Sequence, residues 1–353
     1  MFSCRSFRLM CLHRIWCLRY RATKTMLISL LLLSILMLQL FLVIVSYFIT
    51  ASFDERTSSY IEGYQHMYIK PDCHARTRFV YIKMIKCAST TLTDLFRRFG
   101  LKHRLSFILP PKGRIYIGWP YQIDDTCYRP AKSTSGFNIL CEHAVYNRRK
   151  FSRLMGRGTV YITSIREPFS QVKSMVNYYD VLNISGVPMS VSDRFTEFMS
   201  NIEKYEAVYK SAEASPTRYC VPDGFSMTRN LMSFNLGFPT GGFRSVNEDL
   251  AYDSNLVLRW IAELDSEFSL VIIVEQFYES MILLRRLMCW RLTDILFKIS
   301  NTRSYEYRDA ENADLVQLYH QRSPVDYQLY QHFNDSLSRK IAAQVSTFVV
   351  CFV

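Results

Sequence analysis

The residues whose types and spacing could do chemistry lie in three short stretches. Lys83-Met84-Ile85-Lys86-Cys87-Ala88-Ser89-Thr90-Thr91 separates an apolar run from a stretch of helical periodicity. A helix starting there offers unpaired backbone N–H groups and the positive end of its dipole, which suits a phosphate. Lys83 and Lys86 supply point charges, Cys87 and Ala88 are small, and Ser89, Thr90 and Thr91 add hydroxyl donors; the same hydroxyls equally suit an ordinary helix cap. No glycine lies between Phe79 and Phe99, so the G-x-x-x-x-G-K-[ST] loop is absent and hydrolysis of ATP or GTP is disfavoured. The second stretch is Ser164-Ile165-Arg166-Glu167-Pro168 with Ser174 beyond it. Arg166 can fork onto a phosphate, and Ser174, two helical turns on, can donate to the same group. The alternative is an exposed arginine beside a proline in the first turn of a helix. The third is His143, just after the apolar run of Asn138-Ile139-Leu140-Cys141. Its side chain titrates near neutral pH, as a general base requires, although a histidine at a strand end is commonly structural. Neither the cysteine spacings nor any Asp/His cluster suggests a metal site.

The elements that must position these residues are legible as alternation. Arg78–Ile85 is a β-rich run followed by a helical pattern from Thr90, with Leu92, Leu95, Phe96 and Phe99 on one face and Gly100 where a C-cap would stand. Thr159–Ile165 predicts a second strand, followed by a helix over Phe169–Tyr179. Leu270–Glu275 predicts a third, followed by a helix over Phe277–Trp290 in which Leu283, Leu284, Leu287 and Met288 face a core. Apolar strands each followed by a helix predict an α/β fold, a central parallel sheet flanked by helices. Residues 306–353 have a mixed helical pattern, and there are neither internal repeats nor a second-domain boundary in the large C-terminal part.

The chain has 353 residues, of which 49% are hydrophobic and 21% charged, which argues against disorder. Of its 43 Lys and Arg, six lie in residues 1–25, where there is no Asp or Glu; 37 remain against 31 acidic residues. A uniformly cationic surface of the kind that coats nucleic acid is therefore disfavoured, and no nucleic-acid partner is expected. Residues 26–49 carry no charge, and a helix over them would reach roughly 36 Å, enough for a hydrocarbon core of about 30 Å. The positive-inside rule then predicts a cytosolic basic tail (1–25), a single signal-anchor span (26–49), a polar stem (50–76) and a lumenal domain (77–353). Two sequons, at Asn183 and Asn334, fall on the lumenal side. Seven cysteines lie there too, an odd number whose pairing is not readable.

Taken together, the three stretches resemble the Golgi galactose-3-O-sulfotransferases, the family that includes galactosylceramide sulfotransferase. Tyr81–Thr91 (YIKMIKCASTT) is similar, without a gap, to the family's phosphosulfate-binding loop F-L-K-T-H-K-T-A-S-S-T. Arg166, Pro168, Ser174, Tyr178 and Tyr179 resemble its 3′-phosphate signature, Ile139–His143 its I-L-C-x-H stretch, and Asn230–Phe238 and Leu270–Trp290 the blocks that follow. The likeness spans roughly residues 77–305 and implies a sulfotransferase fold, related to that of P-loop nucleotide-binding proteins. It also implies 3′-phosphoadenosine 5′-phosphosulfate as donor, without a metal, and a terminal β-galactose of a glycolipid or glycoprotein glycan as acceptor, sulfated at O3. On that likeness Lys86 stabilises the leaving phosphate, Lys83 and Cys87–Thr91 belong to the donor loop, Arg166 and Ser174 hold the 3′-phosphate, and His143 is the base. The protein is then a single-pass type II protein of the Golgi membrane. Two positions depart from the pattern: Ile85 stands where the family has His, and Cys87 where it has Thr. The alternatives are a sulfotransferase for another sugar, such as a uronyl 2-O type, and a catalytically silent Golgi protein that binds nucleotide or glycan.

Overall fold

The computed structural model describes residues 33–45, 73–131, 136–211, 222, 225–239, 250–298 and 313–350. The chain divides into a unit of residues 1–68 and a unit of residues 69–353. In the first, residues 33–45 are helical with apolar, exposed side chains such as Leu36 and Phe41. Among the described residues no helix is long and apolar enough to cross a membrane. The rest of the expected span, the basic tail and nearly all of the stem lie outside the described residues, as do Cys220 and Cys351.

The second unit is built on four parallel strands in the order β2-β1-β3-β4: Phe79–Ile82 (β1), Ile139–Leu140 (β2), Val160–Ile165 (β3) and Leu270–Ile273 (β4). Phe79 pairs with Val160 and Ile82 with Thr163, while Ile162 pairs with Leu270 and Ile165 with Ile273. The sequences FVYI and LVII are apolar at every position because both sheet faces are covered, as a parallel sheet demands. The predicted α/β class and parallel sheet are what the structure shows, with the three predicted strands shorter than expected by one to four residues.

The covering helices are Ser89–Lys102 (α1), Arg148–Met155 (α2), Pro168–Tyr178 (α3), Val181–Ile184 (α4), Arg194–Ser200 (α5) and Ile202–Ser211 (α6). Leu231–Asn235 (α7), Ser254–Glu267 (α8), Phe277–Met288 (α9), Leu292–Ile295 (α10), Ala313–Arg322 (α11) and Pro324–Val350 (α12) follow. Leu92, Leu95, Phe96 and Phe99 bury the predicted face of α1. Gly100, expected to end that helix, instead lies inside it. A Cβ there would come within 2.3 Å of the Phe107 ring and 2.6 Å of Ile139, so the glycine serves close packing and not a C-cap. Leu284 and Met288 are fully buried on α9, with Leu283 and Leu287 packed beside them.

The C-terminal helices are locked to the sheet side by an exchange of caps. Asn230 Oδ1 accepts from the backbone N–H of Val325 and Asp326 at the start of α12. In return the Asp326 carboxylate accepts from the backbone N–H of Met232 and Ser233 in the first turn of α7. A disulfide joins Cys73, at the start of the described unit, to Cys289 at the end of α9. Cys87, Cys127 and Cys141 are buried thiols.

Candidate functional site

The order β2-β1-β3-β4 places a topological switch point between β1 and β3, where the chain leaves β1 toward one side and returns on the other. Ligands of open parallel sheets bind in the crevice at the carboxyl ends of such strands. Residues 83–88 run off the carboxyl end of β1, Arg166 off that of β3, and His143 follows β2 on the far side of β1. The three stretches named from the sequence thus stand along one edge of one sheet.

The loop after β1 has an unusual backbone. Lys86 and Ala88 both take left-handed conformations, with φ of 62° and 56°, although neither is glycine. Such a residue costs about 1–2 kcal/mol and persists only where its surroundings hold it. Here side chains pin the loop's carbonyls from beneath. Ser164 Oγ donates to the Cys87 carbonyl at 2.7 Å, so the contact between Tyr81 Oη and Ser164 Oγ, also 2.7 Å, has Tyr81 as donor. Gln171 Nε2 donates to the Ile85 carbonyl at 3.1 Å, and Thr163 Oγ1 to the Ile82 carbonyl at 2.9 Å. Carbonyls held toward the sheet suit a turn whose N–H groups serve an anion.

The alternation of the loop sorts its side chains. Ile85, 4% exposed, packs with Val145, Phe169 and Val172. Cys87 is wholly buried, its Sγ 3.8 Å from Met232 Sδ, and burial pushes the thiol pKa far up. Both departures from the family pattern are therefore side chains turned into the interior, and Cys87 can serve a ligand only through its backbone. Lys86 lies between them and is half-buried, its Nζ 3.8 Å from the centre of the Tyr178 ring on α3. Its charge is thereby carried toward the helix that bears Ser174.

Helix α1 begins at Ser89 with Ala88 as N-cap, and no side chain at that position caps its first turn. Ser89 and Thr91 are buried and Thr90 is exposed. Helix α3 differs: Glu167 caps it, accepting from Phe169 N and Ser170 N at 2.9 and 2.6 Å, and Pro168 opens its first turn. The dipole left open toward an anion is that of α1. Arg166 stands near this loop, its charge acting against the burial that raises the Cys87 thiol pKa. Its Nε is buried without a hydrogen-bond partner, 4.0 Å from Glu275 Oε1. Ser174, 2% exposed, is buried on α3.

His143 stands on the other side of β1. Its Nδ1 is 3.0 Å from the Lys83 carbonyl, which can only accept, so Nδ1 carries the proton and Nε2 the lone pair. Burial, and then the nearby charge of Lys83, lower its pKa to about 3, so the ring is neutral at physiological pH. Lys83 therefore lies with His143, while Lys86 lies with α3: the two lysines of the loop serve opposite sides of it. Burial also lowers the pKa of Lys83. The Tyr116 ring meets that of His143 edge-on at 5.5 Å and that of Trp119 at 5.1 Å.

A cleft of about 510 Å³ opens beside His143, lined among others by Lys83, Arg97, Arg114, Tyr116 and Arg129. Sequence reasoning missed these arginines and the pins Tyr81, Ser164 and Gln171. The pins are polar residues inside apolar patterns, a signal that was present; Arg114 and Arg129 come from 109–129, which has no periodicity to read, while Arg97 lies on the exposed face of α1. Of the two sequon asparagines, Asn183 is exposed on α4, while Asn334 is half-buried on α12 and accepts from Gln276 Nε2 at 2.7 Å. Among the described residues no group of three or more His, Cys, Asp or Glu side chains is arranged for a metal ion.

The fold is that of an α/β protein with a central parallel sheet, and the three stretches stand at the carboxyl ends of its strands. Residues 14–350 match the galactose-3-O-sulfotransferase family, and the chain belongs to that family. It is 30% identical over 274 residues to galactosylceramide sulfotransferase of Homo sapiens, covering 77% of this chain and 59% of that protein. It is 32% identical over 268 residues to galactose-3-O-sulfotransferase 3 of Bos taurus, covering 74% and 57%. With galactose-3-O-sulfotransferase 2 of Mus musculus it shares 28% over 277 residues, covering 76% and 64%. The chain thus spans about three fifths of the length of these relatives.

Proposed function

We propose that this chain transfers the sulfonate of 3′-phosphoadenosine 5′-phosphosulfate to the 3-hydroxyl of a terminal β-galactose on a glycolipid or glycoprotein glycan, at the lumenal face of the Golgi membrane. One observation carries this reading: an uncapped helix start, Lys86 and Arg166 stand at the ends of adjacent strands, with the unprotonated nitrogen of His143 on the flanking one. The residues suit a nucleotide bearing two separate phosphates, because the buried Nε of Arg166 lacks a hydrogen-bond partner and the first turn of α1 has no side-chain N-cap. Bound there, the donor supplies an activated sulfonate on a phosphate leaving group.

Lys86 and the first-turn N–H groups of α1 bind the bridging phosphate and stabilise the charge that grows on it as the sulfonate departs. Arg166, with Ser174 behind it, grips the second phosphate and so selects against ATP. Nε2 of His143 takes the proton of the acceptor hydroxyl. Negative charge brought near His143 raises its proton affinity, so the base gains strength when the site is occupied. No step calls on a metal. The lumenal placement is supported by the Cys73–Cys289 disulfide, which suits an oxidising compartment, and by the basic tail before the apolar stretch 26–49.

The test is a transfer assay on the full chain in detergent, with labelled donor and both galactosylceramide and N-acetyllactosamine as acceptors. Product sulfated at galactose O3 is expected. Lys86→Ala should lower kcat by about 10²–10³ while leaving the melting temperature in place. A kcat near that of the parent overturns the role of Lys86, and absence of product with every galactoside overturns the reading.

A further inference from the structure

The cleft beside His143 differs in charge from what a neutral galactoside needs. Lys83, Arg97, Arg114 and Arg129 line it, against the single carboxylate of Glu142. Glu142 is buried and already paired with Arg97. Among the described residues no carboxylate lies within ion-pair distance of Arg114 or Arg129, whose side chains are exposed. Arg129 is oriented by donating from Nε to the Pro110 carbonyl at 2.9 Å, which leaves its terminal nitrogens for other partners. Tyr116, which lines the same cleft and meets the His143 ring edge-on, is an aromatic side chain of the kind on which a sugar ring stacks.

We infer that the cleft is an acceptor subsite selecting an anionic glycan, one whose galactose is accompanied by a sulfate or carboxylate on a neighbouring sugar, held by Arg114 and Arg129. The inference rests on the sulfotransferase reading for the identity of the reaction, and on the cleft alone for the charge of what binds. Holding cations at the β2 side, away from Arg166 and Ser174 at the β3 side, separates an acidic acceptor from an acidic donor. Arginine suits the task because its planar fork matches sulfate and carboxylate alike. Both side chains are exposed, so the preference should weaken as salt rises.

Three acceptors separate the possibilities: N-acetyllactosamine, the same disaccharide with a 6-O-sulfate on its N-acetylglucosamine, and a galactosyl-glucuronic acid. The full chain should use at least one acidic acceptor with kcat/KM about tenfold above the neutral one, or roughly 1.4 kcal/mol, at low salt. The two acidic arms tell whether sulfate or carboxylate is preferred. In the double variant Arg114→Ala, Arg129→Ala that ratio should collapse toward one through a raised acceptor KM, and the Arg→Lys double variant should restore part of it. Equal use of acidic and neutral acceptors by the parent overturns the inference, as does a loss that appears in the donor KM, which would assign the cleft to the donor. If no acceptor is sulfated, calorimetric titration of the same disaccharides decides separately. Tighter binding of an acidic one, lost in the double variant, supports the subsite though the transfer reading has failed; equal affinities overturn it.

Discussion

At the scale of single residues, the site depends on where protons and charges are held. His143 is fixed as the Nδ1–H tautomer by the Lys83 carbonyl, and its pKa is held at about 3 by burial and by the Lys83 charge. An unfolded histidine titrates near 6.5, so between that value and about 3 the unfolded chain binds a proton that the folded chain refuses. The contribution of His143 to stability is therefore fully present above about 6.5 and is lost as pH falls through that window. His143→Gln should accordingly lose less melting temperature than the parent between about pH 7 and pH 5, measured by scanning calorimetry. Lys83→Gln removes a cation and should move the His143 titration upward, followed by its ring Cε1–H resonance. A parent His143 titrating near 6.5, or one indifferent to Lys83, refutes this electrostatic account. Neither the half-buried ring nor its lysine neighbour was legible at this level: the sequence marks His143 as a candidate base, but its tautomer is set by a carbonyl 60 positions away and its lowered pKa by burial and the charge on that same lysine.

At the scale of elements, strand ends set the site and exchanged caps hold the helices that surround it. Three of the four strands were legible as short, mostly apolar runs, the two-residue β2 not being read as one, and α1 was legible because its buried residues recur at helical spacing. The purpose of Gly100 was not, since its reason is the Phe107 ring, contributed by a segment with no period of its own. The 306–353 region reads only as helical, yet α12 carries the Asp326 carboxylate that caps α7, while Asn230 beside α7 caps α12. All four backbone hydrogen bonds of this exchange are buried, so removing either side chain strands backbone N–H groups away from water. Asp326→Ala, and separately Asn230→Ala, should each lower unfolding free energy by about 2–4 kcal/mol in urea titrations. Because the two caps act on the same pair of helices, the double variant should cost less than the sum of the singles. Additive losses would show that the helices are held independently.

At the scale of the whole molecule, charge, disulfide and sequons bear on the proposed lumenal orientation. A chain with six cations before residues 26–49 and a Cys73–Cys289 bridge beyond them suits a cytosolic tail and a lumenal C-terminal unit. That bridge has a sequence separation of 216 and so closes a long loop of the unfolded chain, for which chain-entropy estimates give stabilisation on the order of 5 kcal/mol. The two sequons divide by environment. Asn183 is exposed on a four-residue helix, whereas Asn334 is half-buried on α12, where the body of the unit crowds its amide. In microsomes from expressing cells, the C-terminal unit should resist added protease until detergent is present. Peptide N-glycosidase should shift its gel mobility, a shift lost in Asn183→Gln and kept in Asn334→Gln. Cys289→Ser should lower the melting temperature and render the unit protease-sensitive once the membrane is opened. Digestion of the unit in sealed microsomes would place it in the cytosol, where neither glycan nor disulfide forms, and would remove the proposed sulfation of lumenal glycans along with them.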